Sequence, residues 1–452
     1  MIAILGAGIS GLAVAHQLQK DGKSFVILEQ DENAGGKIQT VKIKDFLCEL
    51  GPNTVLINNK ETKEVLEDLN LYKSLIFPEE IAVKQRFVLK NNKIEPIPTS
   101  FKRAISSNLI GLNTIFRILK EPFISKKKNQ SEESLADFCR RRFGTQIFED
   151  LIVPFITGIY AGDPEKMSIN HTLSILKDAE ELHGSVVKGM IQLMKEKKKK
   201  NSEDQLPKQK IFSLPEGLIN LIQAFENELQ EKLHLNAKVI SIEQKVDSYL
   251  ITYSQNSEEK TIQVDQVIST LPAPVLSKLI SPLSQSFANA LDNLNYVSAV
   301  SLHLSVRKSQ LDFKEAAFGI LSRRSEKVPF LGILFNSRFF PHTSSDPEKE
   351  LITVIAGGSR YPELVNKPDD EIENELISSL QKVLGSKEKP ELLSIKKWFN
   401  GIPQYEIGYH NFLDSMNEFR SYHPNFFIAG NFNNGISVSD CIRNGINLAK
   451  NS

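Results

Sequence analysis

Three glycines near the amino terminus, Gly6, Gly8 and Gly11, stand in the spacing G-x-G-x-x-G, and an acid, Glu29, follows eighteen residues after the last of them. The spacing has a physical reason at each glycine. Gly6 permits a tight turn, Gly8 lets the backbone approach a pyrophosphate, and Gly11 allows a helix to pack closely on a strand. The anion would sit at a helix amino terminus, where unpaired N–H groups and the dipole favour negative charge. Glu29 is placed to accept hydrogen bonds from an adenosine ribose. A second diglycine, Gly35-Gly36, precedes Lys37. It suits a cofactor longer than NAD, because a longer molecule runs past the first unit and needs another close backbone approach. At the far end of the chain Gly430 and Asn431 lead to Gly435 and a helix, a second helix terminus for the flavin side. These features point to FAD, bound non-covalently.

Other chemistry is hard to find. No Ser/His/Asp or Cys/His set and no paired acid and base stand out. Cys48, Cys139 and Cys441 lie far apart without a C-x-x-C pair, which suits neither a disulfide framework nor a metal site and predicts a reducing compartment. The 452 residues carry 55 Lys+Arg against 55 Asp+Glu, a balance that lacks the cationic footprint of a nucleic-acid binder. With 40% hydrophobic residues the chain can build two or three cores. Met1 to Leu5 enters an apolar segment at once without a signal-peptide pattern, so no leader is expected. The best apolar run, Leu151 to Ala161, is short and broken by Pro154 and Gly158, too little to span a bilayer. A cytoplasmic protein is predicted.

The elements that must position these residues follow from apolar periodicity. The first is a βαβ unit: strand Ile2–Leu5, the glycine turn, a helix with Ile9, Leu12, Val14, Ala15 and Leu18 inward, and strand Phe25–Leu28. Between about Thr99 and Gln209 helical patterns take over, among them 131–143 and 171–194, with Ser131 and Ser134 as cap candidates. That stretch ends in a lysine-rich run, 195–210, expected to be solvated. A helix over 215–232 and strand runs 237–243, 249–253 and 262–269 come next. Alternation in 297–306, 330–335 and 351–356 predicts a second sheet. The tail returns to strand 426–429, turn 430–435 and helix 437–449. The fold class is α/β: a Rossmann-like FAD-binding domain (1–75, 205–285, 390–452), an inserted mixed α+β substrate domain (76–100, 286–389) and a helical domain (101–204).

With those residues in hand, the sequence resembles the flavin-containing amine oxidase superfamily and, within it, the family of oxygen-dependent protoporphyrinogen oxidases. The resemblance runs through GAGISGLAVAHQL from Gly6, Glu29, AGGKIQT from Ala34, ELGPN from Glu49, FITGIYAGDPEKMSI from Phe155, SLPEGL from Ser213, VISTLPAP from Val267, IPQYEIGY from Ile402 and AGNFNNGISVSDCIRNG from Ala429. The first two mark the superfamily only. Lys37 departs from the arginine many members carry there, which keeps the charge and loses the planar fork. Asn431 replaces the acid many flavoenzymes use near the ribityl chain, a replacement typical of the narrower family.

The resemblance implies FAD contacts at Gly6, Ala7, Gly8, Ile9, Ser10, Gly11, Glu29, Gln30, Gly36 and Lys37. It adds Val239 on the adenine side, Gly51, Pro52, Asn53, Thr54 and Trp398 near the isoalloxazine, and Gly430, Asn431, Ile436, Ser437 and Val438. It also implies Arg86 for a substrate propionate and Leu321 and Phe340 for an apolar pocket, with Asn53 as the candidate for orienting groups at the reaction centre. Each has a plainer reading: a solvated strand arginine for Arg86, an ordinary turn residue for Asn53, core packing for Leu321, Phe340, Val239 and the lone Trp398. The implied activity is oxidation of protoporphyrinogen IX to protoporphyrin IX in haem biosynthesis, with molecular oxygen as acceptor and hydrogen peroxide as product. Coproporphyrinogen III oxidation, an amine oxidase or desaturase activity, and a non-catalytic FAD scaffold are the alternatives. Candidate partners implied are a membrane surface at the inner face, a ferrochelatase and a second copy of the chain. The membrane reading uses Phe101, Leu109, Ile110, Leu112, Ile115, Phe116 and Phe123 beside Lys102, Arg103, Lys120 and Lys126 to Lys128; a helical domain packed on its own core is the other reading.

Overall fold

A computed structural model describes residues 1–100, 103–104, 107–127, 131–200 and 210–452. Phe101, Lys102, Lys128 and positions 201–209 of the lysine-rich run lie outside the described residues. A five-stranded parallel sheet is built from three separated stretches of chain, in the order Phe426–Ile428, Gln266–Ser269, Ile2–Leu5, Phe25–Leu28, Leu233–His234. Its middle strands, IAIL and FVIL, are apolar throughout and wholly buried, as a parallel sheet covered on both faces requires. The helix Ile9–Lys20 follows the glycine turn, and the last helix, Val438–Lys450, lies against it. That contact is close because Gly445 has no side chain: a Cβ there would stand 2.8 Å from the Ser10 carbonyl oxygen.

The strand run expected over 262–269 is two strands in two sheets. Glu258–Val264 closes an antiparallel trio with Ala237–Gln244 and Tyr249–Gln255, and Gln266–Ser269 joins the parallel sheet. The exposed Asp265 divides them. On its near side polar and apolar residues alternate; on its far side burial is nearly continuous, and that change of pattern is the trace of the switch.

A second, seven-stranded sheet runs Glu391–Pro403, Tyr296–Arg307, Lys349–Gly357, Phe330–Leu334, Gly319–Ser322, Arg86–Lys90, Lys93–Pro96. Its pairs are antiparallel except Gly319–Ser322 with Arg86–Lys90. Strand Glu391–Pro403 falls in the stretch expected to belong to the dinucleotide unit, yet it pairs along Tyr296–Arg307 through two register shifts. Those bulges break the simple alternation that would have announced it. One face of this sheet, with Leu302, Val354, Ile333, Ile320 and Phe87, packs on the helix Asp369–Leu384.

In the helical stretch, Ser134 rather than Ser131 caps Leu135–Phe143, accepting the Asp137 N–H at 3.0 Å. The helix expected over 171–194 is broken into Ser174–His183 and Val186–Lys200 at Gly184, whose φ of +72° is a left-handed end that glycine adopts without strain. Arg142 is completely buried between Glu121 and Glu180, which tie three segments of this unit together. Among the described residues no helix is long and apolar enough to cross a membrane.

Candidate functional site

The glycine turn is shaped for an anion. Gly6 takes φ +95°, which only glycine adopts freely, and a Cβ on Gly11 would lie 2.0 Å from the Gly6 carbonyl oxygen, so turn and helix touch as the spacing requires. Around Gly8 the opposite holds: a Cβ built there meets nothing within 4 Å. Its backbone borders open space at the amino end of the twelve-residue helix Ile9–Lys20, where free N–H groups collect. Ala7 is fully buried and Ser10 nearly so, while Ile9 is half-buried on the neighbouring core. This cradle fits a pyrophosphate.

Glu29 ends the second strand. It is buried, and burial raises its pKa against the opposing pull of the Asp31 and Ala7 N–H groups, which it accepts at 3.0 and 2.7 Å. A carboxylate has about four acceptor sites, so two remain for ribose hydroxyls. Gln30 beside it is exposed. Val239 lies two residues beyond Ala237, whose N–H bonds the Glu29 carbonyl, and is half-buried at a bulge.

Gly35 donates its N–H to the Ala7 carbonyl at 2.8 Å, and both Gly35 and Gly36 have positive φ, which lays the diglycine against the first turn. Lys37 follows. Burial lowers its pKa, and no carboxylate pairs with it among the described residues. A desolvated ammonium beside an anion cradle is in the position of a phosphate ligand. A Cβ on Gly51 would lie 1.9 Å from the Lys37 carbonyl oxygen, so the segment Gly51–Thr54 is pressed directly onto this turn. Pro52, Asn53 and Thr54 are all half-buried there.

Gly430 and Gly435, at φ +137° and +127°, bracket a loop whose carbonyls are held from outside. The Tyr405 hydroxyl donates to the Asn431 carbonyl at 2.7 Å and accepts the Gly435 N–H at 2.9 Å; Tyr409 donates to the Phe432 carbonyl at 2.7 Å. The Asn444 amide reaches the carbonyls of Asn433 and Asn434. Burial pushes the Tyr405 hydroxyl far above its ordinary range, so it stays protonated and able to donate. Ile436 and Val438 are half-buried beyond the loop, and Ser437 caps the last helix by accepting the Asp440 N–H. The chemistry of Tyr405 was not legible beforehand; the IPQY segment carried a resemblance and no role.

The rest of the site is a sheet face. Cross-strand partners share a face, and two rows of partners in the second sheet are Lys396, Ser301, Ile355, Gly332, Leu321, Val88 and Ser394, His303, Thr353, Leu334, Gly319, Arg86. Trp398, two residues beyond Lys396, lies on the same side. At one end this face is tied to the segment before Gly51: Ser301 and Trp398 donate to the Leu50 carbonyl, at 3.2 and 2.8 Å, and His303 to the Glu49 carbonyl at 2.9 Å. Burial drives the His303 pKa down to about 4, so the ring is a neutral donor. At the other end the helix Val153–Tyr160 covers Leu321, and a Cβ on Gly158 would stand 2.7 Å from its Cδ2. Between these two covers the floor carries glycine at 319 and 332.

Arg86 heads the strand at the edge of that floor. Its guanidinium lies 5.2 Å over the Phe318 ring, and no carboxylate among the described residues neutralises it. Arg86 and Leu321 are thus brought onto one face. Phe340 is not on it; the ring is 1% exposed in a cluster with Ala82 and Phe339 that Phe318 joins. Asn53 accepts from the Asn336 amide at 2.7 Å and donates to the Gly51 carbonyl at 3.2 Å, which links the dinucleotide side to the floor. Sequence reasoning missed Ile355, Ser301, His303 and Asn336, since nothing short of strand register brings them together.

Comparison with known proteins adds three findings. The profile described as Flavin containing amine oxidoreductase matches residues 9–451. Protoporphyrinogen oxidase 2, chloroplastic/mitochondrial, of Arabidopsis thaliana is 30% identical, over 99% of this chain and 92% of its own, and Coproporphyrinogen III oxidase of Bacillus subtilis (strain 168) is 27% identical, over 98% and 96%. A crystal structure from Exiguobacterium sp. 255-15, provisionally named a protoporphyrinogen oxidase, superposes with a TM-score of 0.84 at 22% identity, covering 100% of this chain and 98% of that one.

Proposed function

The chain belongs to the family of flavin-containing amine oxidoreductases, and from that premise we propose that it is a haem-biosynthesis enzyme that oxidises protoporphyrinogen IX to protoporphyrin IX with oxygen as acceptor. Its cofactor is FAD. When bound, the flavin accepts hydrogen from the substrate and passes the electrons on. The chain's own residues bind, orient and exclude water. Gly8, Glu29 and Lys37 would hold the ADP portion, and the Gly430–Gly435 loop with Gly51–Thr54 would hold the ring end. A porphyrinogen is a broad, largely apolar macrocycle with carboxylate tails, and the single observation that carries the reading is the floor described above: two glycines, Leu321 and Ile355 between covers, with an unneutralised arginine at the margin. A guanidinium grips a propionate through two parallel hydrogen bonds, so Arg86 recognises orientation as well as charge.

A second reading, coproporphyrinogen III oxidation, is favoured by the B. subtilis relative. That substrate carries four propionates instead of two. The test is to purify the protein, record the flavin spectrum, and follow porphyrin fluorescence and peroxide with each porphyrinogen, in air and under argon. Faster turnover of protoporphyrinogen in air, with peroxide, supports the proposal; preference for coproporphyrinogen replaces it with the second reading. Flavin binding without turnover of either would make the protein a scaffold, and amine oxidation alone would move it elsewhere in the family.

We also infer peripheral membrane contact. Leu109, Ile110 and Ile115, expected on that surface, are instead buried with Val88 in a core cluster, whereas Phe116, Leu119 and Phe123 are exposed near Lys120 and Lys126. Co-sedimentation with anionic liposomes, weakened by salt, supports it, and no recovery with lipid at either salt refutes it. A homodimer and a ferrochelatase contact are tested by light scattering of the holoprotein and by pull-down.

A further inference from the structure

Asn336 is 3% exposed, and its side-chain oxygen is buried with no hydrogen-bond partner among the described residues. A buried acceptor left unpaired is destabilising, and a donor that arrives only with a bound molecule would relieve it. The orientation of this amide is fixed by a chain of contacts. The Gly51 carbonyl can only accept, so Asn53 turns its NH2 group towards it and its oxygen towards Asn336. Asn336 must then present NH2 to Asn53, which leaves Oδ1 free. The residue stands two positions after Leu334, a floor residue, and against the loop that carries Gly51. Its free acceptor therefore lies where the floor meets the ring end of the cofactor site.

We propose that Asn336 Oδ1 accepts a pyrrole N–H of the bound porphyrinogen and thereby distinguishes the reduced substrate from its aromatic product. The proposal rests on the porphyrinogen reading above. A porphyrinogen has four pyrrole N–H donors and no acceptor in its ring system, so an apolar slot has to supply acceptors or leave donors unpaired. A porphyrin has two N–H groups and two imine nitrogens, and an acceptor facing an imine nitrogen repels it. The same atom thus favours binding of the substrate and release of the product.

Asn336→Leu removes the acceptor at similar volume, together with the amide that bonds Asn53, and Asn336→Ala serves if leucine perturbs the fold. Flavin content and melting temperature of each holoprotein are recorded first. The expected result is a KM for the porphyrinogen raised about fivefold to tenfold, the worth of one neutral hydrogen bond, with kcat nearly kept and with inhibition by added porphyrin unchanged or stronger. The proposal is overturned by an unchanged KM in a variant that retains flavin, and equally by a lost flavin affinity with unaltered KM, which would assign the acceptor to the cofactor. Failure of the porphyrinogen reading looks different: there the wild-type protein itself turns over neither porphyrinogen.

Discussion

Replacing Glu49 by glutamine should make the protein more stable at alkaline pH and leave it nearly unchanged in acid. Glu49 immediately precedes Leu50 and Gly51, so its anchoring decides where the segment Gly51–Thr54 lies. Its carboxyl is 4% exposed, accepts the Leu218 N–H and the Thr40 hydroxyl, both at 2.7 Å, and has no cationic partner among the described residues. Burial dominates those two hydrogen bonds and raises its pKa from 4.5 to about 7. In the unfolded chain it titrates near its ordinary value. Below about pH 4.5 the group is protonated in both states and costs nothing. As pH rises the unfolded state ionises first, so stability falls, and the loss is complete above about pH 7. A displacement of about 2.5 units at 1.36 kcal/mol each gives a penalty of about 3 kcal/mol at pH 8. Glutamine keeps an acceptor for Leu218 and can donate to Thr40, which also accepts the Ile219 N–H. Melting curves of wild type and Glu49→Gln from pH 5 to 8.5 test this through their difference, which cancels every other titrating group. The variant should gain a few degrees at pH 8 and under one or two at pH 5. A gap that does not widen with pH, or a variant less stable than wild type at pH 8, would refute the assignment of a desolvated, unpaired carboxyl.

Gly11→Ala places a Cβ 2.0 Å from the Gly6 carbonyl, so the turn must open; the purified variant should be colourless, and stoichiometric flavin in it would contradict the cradle geometry. Tyr405→Phe deletes both hydrogen bonds to Asn431 and Gly435, and should weaken FAD binding about tenfold or more, measured by fluorescence titration of the apoprotein, while the melting temperature of the apoprotein moves little. Arg86→Ala should raise KM at least tenfold with kcat held within a factor of three, because a propionate contact is remote from the reacting carbon, and Arg86→Lys should recover only part of the loss; equal KM in all three proteins removes Arg86 from the site.

The dinucleotide half of the site could be read because its logic is local. A strand, three spaced glycines, a helix and an acid are all decided within thirty residues; Gly6 is required by its positive φ and Gly11 by its contact with the Gly6 carbonyl, while Gly8 leaves open the space the spacing implies. The Gly430 loop is similar: its turn and cap sit next to each other in the chain, so the tail was legible although Tyr405, which holds it, comes from a segment that folds elsewhere. Strand boundaries were harder. At Asp265 one apolar run passes from an antiparallel trio to a parallel sheet, and only a change in burial period marks the transition.

The floor is a property of register, and register lies beyond the reach of a single sequence. Arg86 and Leu321 are far apart in the chain and become neighbours only because the strands Arg86–Lys90 and Gly319–Ser322 pair in parallel, with Gly319 beside Arg86. Slipping that pair by one residue would exchange Arg86 for Phe87 on the floor and turn the arginine into the core beside the helix Asp369–Leu384. What prevents the slip is legible afterwards: Phe87 and Leu89 are buried against that helix, and a slip would turn both to the other face. Phe340 lies outside the strands, just after the short helix Asn336–Phe339, and ends in a buried cluster with Ala82 and Phe339 against which Leu334 packs, while the less conspicuous Ile355 is placed on the floor by register. The residues of this floor are selected by which partner a strand takes, and the residues that fix the partner are the apolar ones on the other face.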